Sequence, residues 1–167
     1  MKERNPILWE IGALVVKVLM IGLIFALIFT FIYGFHRTAD ADMAPMVKDG
    51  DVVLFYRLSN NHSIGDLVLL NFQGERQVRR IVAQAGDNID ITEDGLFING
   101  ALHHELEIFE KTGRYAEGID FPITVGDGQI FVLGDARGNA TDSRIYGPVN
   151  TKDTLGTAIT VIRRRNF

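Results

Sequence analysis

The feature that most constrains this chain is an uncharged apolar segment, residues 18–35, close to its N-terminus. Extending the segment back to residue 11 adds a single charge, Lys17, whose long side chain can reach a lipid headgroup. About 20 apolar residues are enough for a helix to cross a bilayer, and a helix that is apolar all round is not a soluble amphipathic helix. The segment therefore predicts a transmembrane anchor over residues 11–35, after a cytoplasmic N-terminus of residues 1–10.

The positive charges favour an N-terminus in the cytoplasm and a main domain outside the cell. Lys2, Arg4 and Lys17 precede the apolar core, and cytoplasmic flanks of anchors are enriched in such residues. A competing interpretation takes residues 39–41, Ala-Asp-Ala, as the cleavage site of a removable signal peptide. The apolar run is longer than the roughly 7 to 15 residues of a signal peptide, so a retained anchor is preferred.

The remainder of the chain, residues 36–167, predicts a mainly β, antiparallel, extracytoplasmic domain. Short runs of Val, Ile, Leu and Phe are separated by Gly and Asp, as is typical of strands joined by turns. Asp94-Gly95, between two such runs, is a strong hairpin signal. No long helical period follows the anchor, and residues 101–120 show the weakest pattern. The predicted strands are 51–58, 66–72, 76–84, 88–92, 96–100, 129–135 and 155–164.

The composition removes several classes of chemistry. The chain has no cysteine, which excludes disulfides, thiol catalysis and thiolate metal sites. A net charge of −4, without a basic face, argues against nucleic acid as a partner. The one basic run, residues 163–165, is either a solvated strand end or a contact for anionic lipid headgroups.

The densest polar cluster is GDARGNATDSRIYGPV, residues 134–149, between two predicted strands. Alone it indicates either a surface loop or a rigid polar network in which Asp142 pairs with Arg144. Together with DMAP at 42–45, which Gly-Asp follows at 50–51, and with RRIVAQAGD at 79–87, it resembles the type I signal peptidases. These are membrane-anchored serine proteases with a Ser/Lys dyad. The three boxes span nearly the whole chain in the family's order.

The departures from the family pattern concern the catalytic positions. The resemblance implies that the family's nucleophilic Ser falls on Asp42 and its general-base Lys on Arg79. Ala136 replaces an Asn of the last box, and Thr141 replaces a Ser that helps to position the Lys. The other residues that the resemblance assigns to the substrate groove or to the structural box are Met43, Pro45, Arg80, Gly134, Asp135, Arg137, Asp142, Ser143 and Arg144.

These replacements change what the site can do. A Ser/Lys dyad needs a hydroxyl and an amine that loses its proton near neutral pH. An arginine guanidinium keeps its proton near neutral pH, and the carboxylate of Asp42 has no hydroxyl with which to form an acyl-enzyme. Because the resemblance implies that positions 42 and 79 lie within hydrogen-bond reach, an ion pair between Asp42 and Arg79 is expected in place of the dyad. The alternative is two unrelated surface charges.

No other residues are expected to replace the dyad. A serine triad would have to recruit His103 or His104 from the irregular segment, and an aspartic dyad at Asp42 would be opposed by Arg79, which holds carboxylates ionised. The two histidines lack the second His of a H-E-x-x-H zinc motif. No metal, cofactor or small-molecule substrate is therefore expected. The three serines of the chain are Ser59, Ser63 and Ser143.

Two functions follow from these residues. The first is a membrane-anchored, non-catalytic signal peptidase homologue that binds exported precursors and assists surface-protein assembly. The resemblance extends to degenerate homologues in Gram-positive pilus gene clusters, which implies a pilin-type partner and the sortase machinery. The second is an active type I signal peptidase that cleaves signal peptides from secreted precursors. Both functions imply a single-pass protein of the cell membrane, in contact with lipid.

Overall fold

The computed structural model of the chain describes residues 6–59 and 61–164. It begins with helix α1 (Pro6–Leu27), which passes through a π-helical turn (Ile28–Ile32) directly into strand β1 (Tyr33–Arg37). The most apolar window of 18 residues within Ile7–Ile32 has a mean hydropathy of 2.7 and is not buried by the rest of the protein. Within the described ranges, α1 with its π-turn is the one helical segment long and apolar enough to cross a membrane.

The apolar helix ends earlier than the sequence predicts. The anchor was expected over residues 11–35, whereas the helical segment starts at Pro6 and ends at Ile32. The last three residues of the expected span belong to β1, because Tyr33–Arg37 pairs with the following strand in antiparallel register, Tyr33 opposite Tyr56. Hydrophobicity alone does not separate the end of a helix from an apolar strand that follows it.

The strands form two antiparallel sheets. The larger has the strand order β1-β2-β11-β3-β4-β9-β10, and the smaller has the order β7-β6-β5-β8. The predicted fold, mainly β and antiparallel behind one apolar helix, is confirmed. The elements after β1 are β2 (Val52–Tyr56), β3 (Leu67–Phe72), β4 (Glu75–Gln84), β5 (Asn88–Thr92), β6 (Gly95–Ile98), β7 (Ala101–Leu102), β8 (Ile123–Thr124), β9 (Gln129–Leu133), α2 (Ser143–Tyr146), β10 (Val149–Asn150), a 3₁₀ turn (Thr151–Asp153) and β11 (Thr154–Ile162).

Every predicted strand has a counterpart, and the short elements were missed. The predicted hairpin joins β5 to β6, where Gly95 has the positive φ of +132° that its turn requires. Strands β7, β8 and β10 have two residues each, and α2 has four. Elements this short leave no periodicity in the sequence, so only their long-range partners define them.

One of the core clusters holds the loop that carries Asp42. Met43 and Val47, from the loop after β1, pack against Phe55 of β2 and Val78 of β4. Strands β2 and β11 can approach closely because position 156 is a glycine, where a Cβ would lie 2.3 Å from the carbonyl oxygen of Tyr56. The packing of Met43 and Val47 fixes the loop that carries Asp42 on the face of the large sheet to which Phe55 and Val78 point.

Candidate functional site

Asp42 lies in a turn that two buried side chains hold in place. Met43 and Val47 are each 1% exposed, and the N–H of Val47 donates to the carbonyl of Met43 at 2.8 Å. The N–H of Ala136 donates to the backbone carbonyl of Asp42 at 2.9 Å. The backbone at position 42 is therefore tied to residues 134–147, which we call the box segment.

Arg79 reaches the same place from β4, and its side chain is 1% exposed. Its Nη2 donates to Oδ2 of Asp42, its Nη1 to the carbonyl of Val78 at 2.6 Å, and its Nε to the carbonyl of Thr141 at 2.9 Å. The same Oδ2 of Asp42 accepts the backbone N–H of Thr141 at 3.0 Å. Asp42 and Arg79 thus form an ion pair at the positions that the resemblance assigns to Ser and Lys. All three guanidinium nitrogens of Arg79 donate hydrogen bonds.

A second carboxylate, Asp40, stands at this site and was missed by the sequence reasoning. Its Oδ2 lies 3.5 Å from Nη1 of Arg79, and its Oδ1 accepts the backbone N–H of Asp42 at 3.2 Å. Acyl-transfer enzymes commonly use the nucleophile's own N–H to stabilise the oxyanion. Here that N–H donates to a carboxylate instead. The spacing Asp-Ala-Asp at 40–42 was the available signal, since it brings two acids to one turn.

Burial and pairing act on the Asp42 carboxyl in opposite directions. Burial raises the pKa of Asp42, and with the charges of Asp40 and Asp142 it outweighs the opposing effects of the Arg79 charge and the Thr141 N–H. The loss of water around the carboxyl therefore acts on its pKa more strongly than the contact with Arg79. The site is a compromise between desolvation and pairing.

Tyr146 is another residue at the site that the sequence did not indicate. Its ring stacks on Phe72 with 4.1 Å between centroids, and its buried hydroxyl has no hydrogen-bond partner among the described residues. Burial raises the pKa of this hydroxyl strongly, although the nearby Arg79 opposes the shift. Tyr146 therefore stays protonated and cannot serve as a base in place of the missing lysine.

Asp142 and Arg144 form a buried, bidentate ion pair, which agrees with the polar-network interpretation of the sequence and not with the surface-loop one. Their side chains are 0% and 1% exposed, with Nε–Oδ1 at 2.9 Å and Nη2–Oδ2 at 2.8 Å. Asp142 also accepts the N–H of Gly134 at 3.0 Å. A Cβ at position 134 would lie 2.3 Å from Cβ of Ala140 and 2.6 Å from the carbonyl oxygen of Asp42, so this glycine sets how closely the box segment approaches Asp42.

Two further arginines fix the irregular segment to the box. Arg80 binds Asp135 through two bonds of 2.8 and 2.7 Å. Arg137 is 1% exposed, donates from Nε to the carbonyl of Gly134 at 2.8 Å, and contacts the carboxylate of Glu105. From the irregular segment, Glu105 thus pairs with Arg137 of the box, and Glu107 lies 3.9 Å from Nη2 of Arg80. The sequence pattern did not reveal these long-range contacts.

The side chains of three other predicted residues, Ser143, Pro45 and Thr141, make no hydrogen bond to Asp42 or Arg79. Ser143 is fully buried, and its Oγ accepts the N–H of Val132 at 3.0 Å, so it supports β9. Pro45 is exposed. Thr141 contributes its backbone groups to Asp42 and Arg79, rather than a hydroxyl contact. Among residues 6–59 and 61–164, no group of three or more His, Cys, Asp or Glu side chains could hold a metal ion.

The geometry combines a buried polar box with a carboxylate–guanidinium pair on an antiparallel β scaffold. The family described as signal peptidase, peptidase S26, matches residues 11–162. The chain therefore belongs to the signal peptidase S26 family.

Two relatives agree with this assignment in sequence, and one solved structure is reported beside them. Signal peptidase I P of Bacillus subtilis subsp. natto is 30% identical over an alignment of 169 positions, gaps included. The alignment covers 93% of this chain and 88% of that protein. Signal peptidase I U of Bacillus subtilis strain 168 is 31% identical over 156 residues, which cover 85% of this chain and 83% of that protein. A crystal structure of a signal peptidase I from Enterococcus faecalis V583 is similar with a TM-score of 0.49 and 25% identity, and covers 59% of this chain and 97% of its own.

Proposed function

We propose that this chain is a membrane-anchored, non-catalytic signal peptidase homologue that holds an exported precursor without cutting it. The observation that carries the proposal is the ion pair between Asp42 and Arg79. A guanidinium does not accept a proton near neutral pH, and position 42 offers no hydroxyl for acyl transfer. The carboxylate of Asp40 on the N–H of Asp42 further opposes an oxyanion at this place.

The proposed topology has the N-terminus in the cytoplasm and residues 36–167 outside the cell. The positive residues Lys2, Arg4 and Lys17 support it, although the first two lie outside the described residues. Ala41, the last residue of the Ala-Asp-Ala site at 39–41, opens a turn in which its carbonyl accepts the N–H of Ala44 at 2.9 Å, and Asp40 contacts Arg79. The site is thus part of the folded domain, which supports an anchor that is retained.

The precursor is proposed to bind along β1. Among the described residues this strand is the outermost of the large sheet, so its outward backbone groups, apart from the Tyr33 carbonyl that accepts a hydrogen bond from Nε of Arg57 at 3.1 Å, can pair with an extended peptide. Residues 38–41 continue from β1 to the Asp42 turn and place that edge beside the altered site. A pilin-type client, and a role beside the sortase machinery, rest on the resemblance to degenerate homologues of Gram-positive pilus clusters.

Cleavage by the full chain tests the absence of catalysis. Full-length protein in proteoliposomes is incubated with a precursor that carries an A-x-A cleavage site, and the mature product is quantified. We expect no product above that of empty vesicles. Product that increases with the amount of protein, and that disappears in Asp42→Ala, would establish the alternative, an active type I signal peptidase with unorthodox residues.

Photo-crosslinking tests the binding role. A photoreactive amino acid replaces Ala39, an exposed residue between β1 and the Asp42 turn, and the control carries it at exposed Lys152. We expect a crosslink to an added precursor or pilin only from position 39. Equal capture at both positions, or none at either, would exclude precursor binding along β1.

A further inference from the structure

The irregular segment presents two apolar side chains almost completely to solvent. Leu106 is 97% exposed and Phe109 is 87% exposed. Among the described residues, the next most exposed large hydrophobic side chain is that of Trp9 on the apolar helix α1, at 69%. Single apolar residues on a surface need no explanation. Two that stand clear of the surface three positions apart indicate a contact with another molecule, since aromatic side chains are enriched in such contacts.

The turn that carries these two side chains is held in place on both sides. The N–H of Ile108 donates to the carbonyl of Glu105 at 3.2 Å, which closes a turn that includes Leu106. The carboxylate of Glu105 contacts Arg137 of the box segment. A carboxylate oxygen of Glu110 accepts a backbone N–H of the same segment at 2.8 Å. A surface that is already ordered loses little entropy when it binds, so this turn is suited to docking.

A pocket of about 550 Å³ opens where the chain leaves this turn. Lys111 is exposed, and no carboxylate of the described residues lies within ion-pair distance of it. The side chain of Arg114 is 47% exposed, pairs with Asp90 and lies over the ring of Phe121. Both cations offer an aliphatic stem against which an aromatic ring can pack. The residues that line the pocket are Thr92, Glu93, Lys111, Thr112, Gly113 and Arg114.

The turn and the pocket carry opposite charges. On the turn, Glu110 is exposed, and Glu107 is 64% exposed with an arginine of its own chain 3.9 Å away. Lys111 and Arg114 line the pocket, with one acid, Glu93, beside them. A surface that holds both a projecting acidic part and a basic recess can pair with a second copy of itself across a two-fold axis, because each copy then supplies both halves of the contact.

We propose that two copies of this chain pair through this surface, each placing Phe109 in the pocket of the other. The carboxylate of Glu107 then faces Lys111 of the second copy, while the ring of Phe109 packs on the stem of Arg114. Anionic lipid would repel the acids of the turn, so the surface favours protein over a bilayer. Anchoring of both copies in one membrane raises their local concentration. The inference goes beyond the proposed function and does not depend on the absence of catalysis.

Energy transfer between labelled copies tests the pairing. The chain has no cysteine, so Lys152→Cys, at an exposed position before β11, carries either a donor or an acceptor dye. The full chain is kept in detergent with empty micelles in excess. We expect transfer that falls when unlabelled chain is added. Phe109→Ser should weaken the association by about tenfold or more, and Leu58→Ser, at another exposed apolar residue, should leave it unchanged.

Exchange of charges is the decisive test, because a variant that fails to fold cannot restore binding. Glu107→Lys places like charges on the two halves of the contact, and so does Lys111→Glu, so each variant alone should pair several-fold more weakly. An equimolar mixture of the two should pair as strongly as the wild type, since every exchanged residue then meets the opposite charge. Glu75→Lys, which changes an exposed acid of β4, serves as the control and should have no effect.

Any one of the following results would overturn the proposal. An absence of transfer in the wild type would show that this surface serves a different protein, or none. Equal transfer in the wild type and in Phe109→Ser would show that the copies associate through α1 or through another surface. A mixture of the exchange variants that pairs as weakly as either variant alone would show that positions 107 and 111 do not face each other.

Discussion

Oδ1 of Asp40 lies 3.2 Å from the backbone nitrogen of Asp42 and accepts its hydrogen. The other oxygen of Asp40 approaches Arg79, so two acids share one guanidinium. An acyl-transfer site must stabilise negative charge near the nucleophile. Here two carboxylates, Asp40 and Asp42, face one guanidinium, so the site presents negative charge where an acyl-transfer site must stabilise it.

Rebuilding the dyad alone should therefore fail. We expect Asp42→Ser with Arg79→Lys to cleave an A-x-A precursor weakly or not at all, because Asp40 still occupies the N–H at position 42. Adding Asp40→Ser frees that donor and should raise turnover by on the order of 10²-fold, the usual effect of one oxyanion donor. The control variant keeps Arg79 and carries Asp40→Ser together with Asp42→Ser. Equal turnover by the double and triple variants would contradict this role of Asp40.

Loss of the Asp42 carboxyl should destabilise the fold. In Asp42→Ala, Nη2 of Arg79 and the N–H of Thr141 both lose their acceptor, which should cost about 1–3 kcal/mol of unfolding free energy. Asp42→Asn keeps an acceptor oxygen and should cost less. Thermal unfolding followed by circular dichroism in detergent measures both variants. An unchanged melting temperature in Asp42→Ala would dismiss the buried ion pair.

The pH dependence of stability should carry a contribution from the same carboxyl. Burial raises the pKa of Asp42 above its ordinary value of 3.8, so the folded state holds this proton more tightly than the unfolded state. The resulting stabilisation is complete below pH 3.8 and is lost as the pH rises through the raised pKa. The melting temperature of the wild type, relative to Asp42→Asn, should therefore fall as the pH increases over that interval. A rising difference would show that pairing with Arg79 outweighs burial.

Buried and exposed ion pairs should differ sharply in their effect on stability. Arg144→Met leaves the carboxylate of Asp142 buried without its partner and should cost about 3–5 kcal/mol. The pair of Arg114 with Asp90 is 47% and 34% exposed, and Arg114→Met should cost less than about 1 kcal/mol. Urea denaturation compares the two, with Arg144→Lys as a milder variant should the first not fold. Similar losses in both would argue against the box as a stabilising network.

Close packing between the box segment and the Asp42 turn makes position 134 sensitive to size. Gly134→Ala places a methyl group against Ala140 and the carbonyl of Asp42, which should cost about 1–3 kcal/mol. Gly113→Ala is the control, since a Cβ there has no neighbour within 4 Å. Its effect should stay within about 0.5 kcal/mol. Equal melting temperatures for the two variants would contradict the close approach.

The sequence predicts the features that depend on residues close together along the chain. The apolar run of α1, the alternation of the longer strands and the Asp-Gly hairpin each require only neighbours along the chain. The pairing of Asp142 with Arg144 is also local, since the residues are two positions apart. Strand β1 escaped prediction because its apolar residues continue those of the helix.

The amino-acid sequence by itself determined the family, the antiparallel β class and the exchange of a hydroxyl and an amine for a carboxylate and a guanidinium. Only the tertiary structure decided that Asp40 joins Asp42 and Arg79, and that Glu105 meets Arg137. These contacts connect residues from different strands and loops, and their energies depend on burial and distance. Neither quantity exists until the chain has folded.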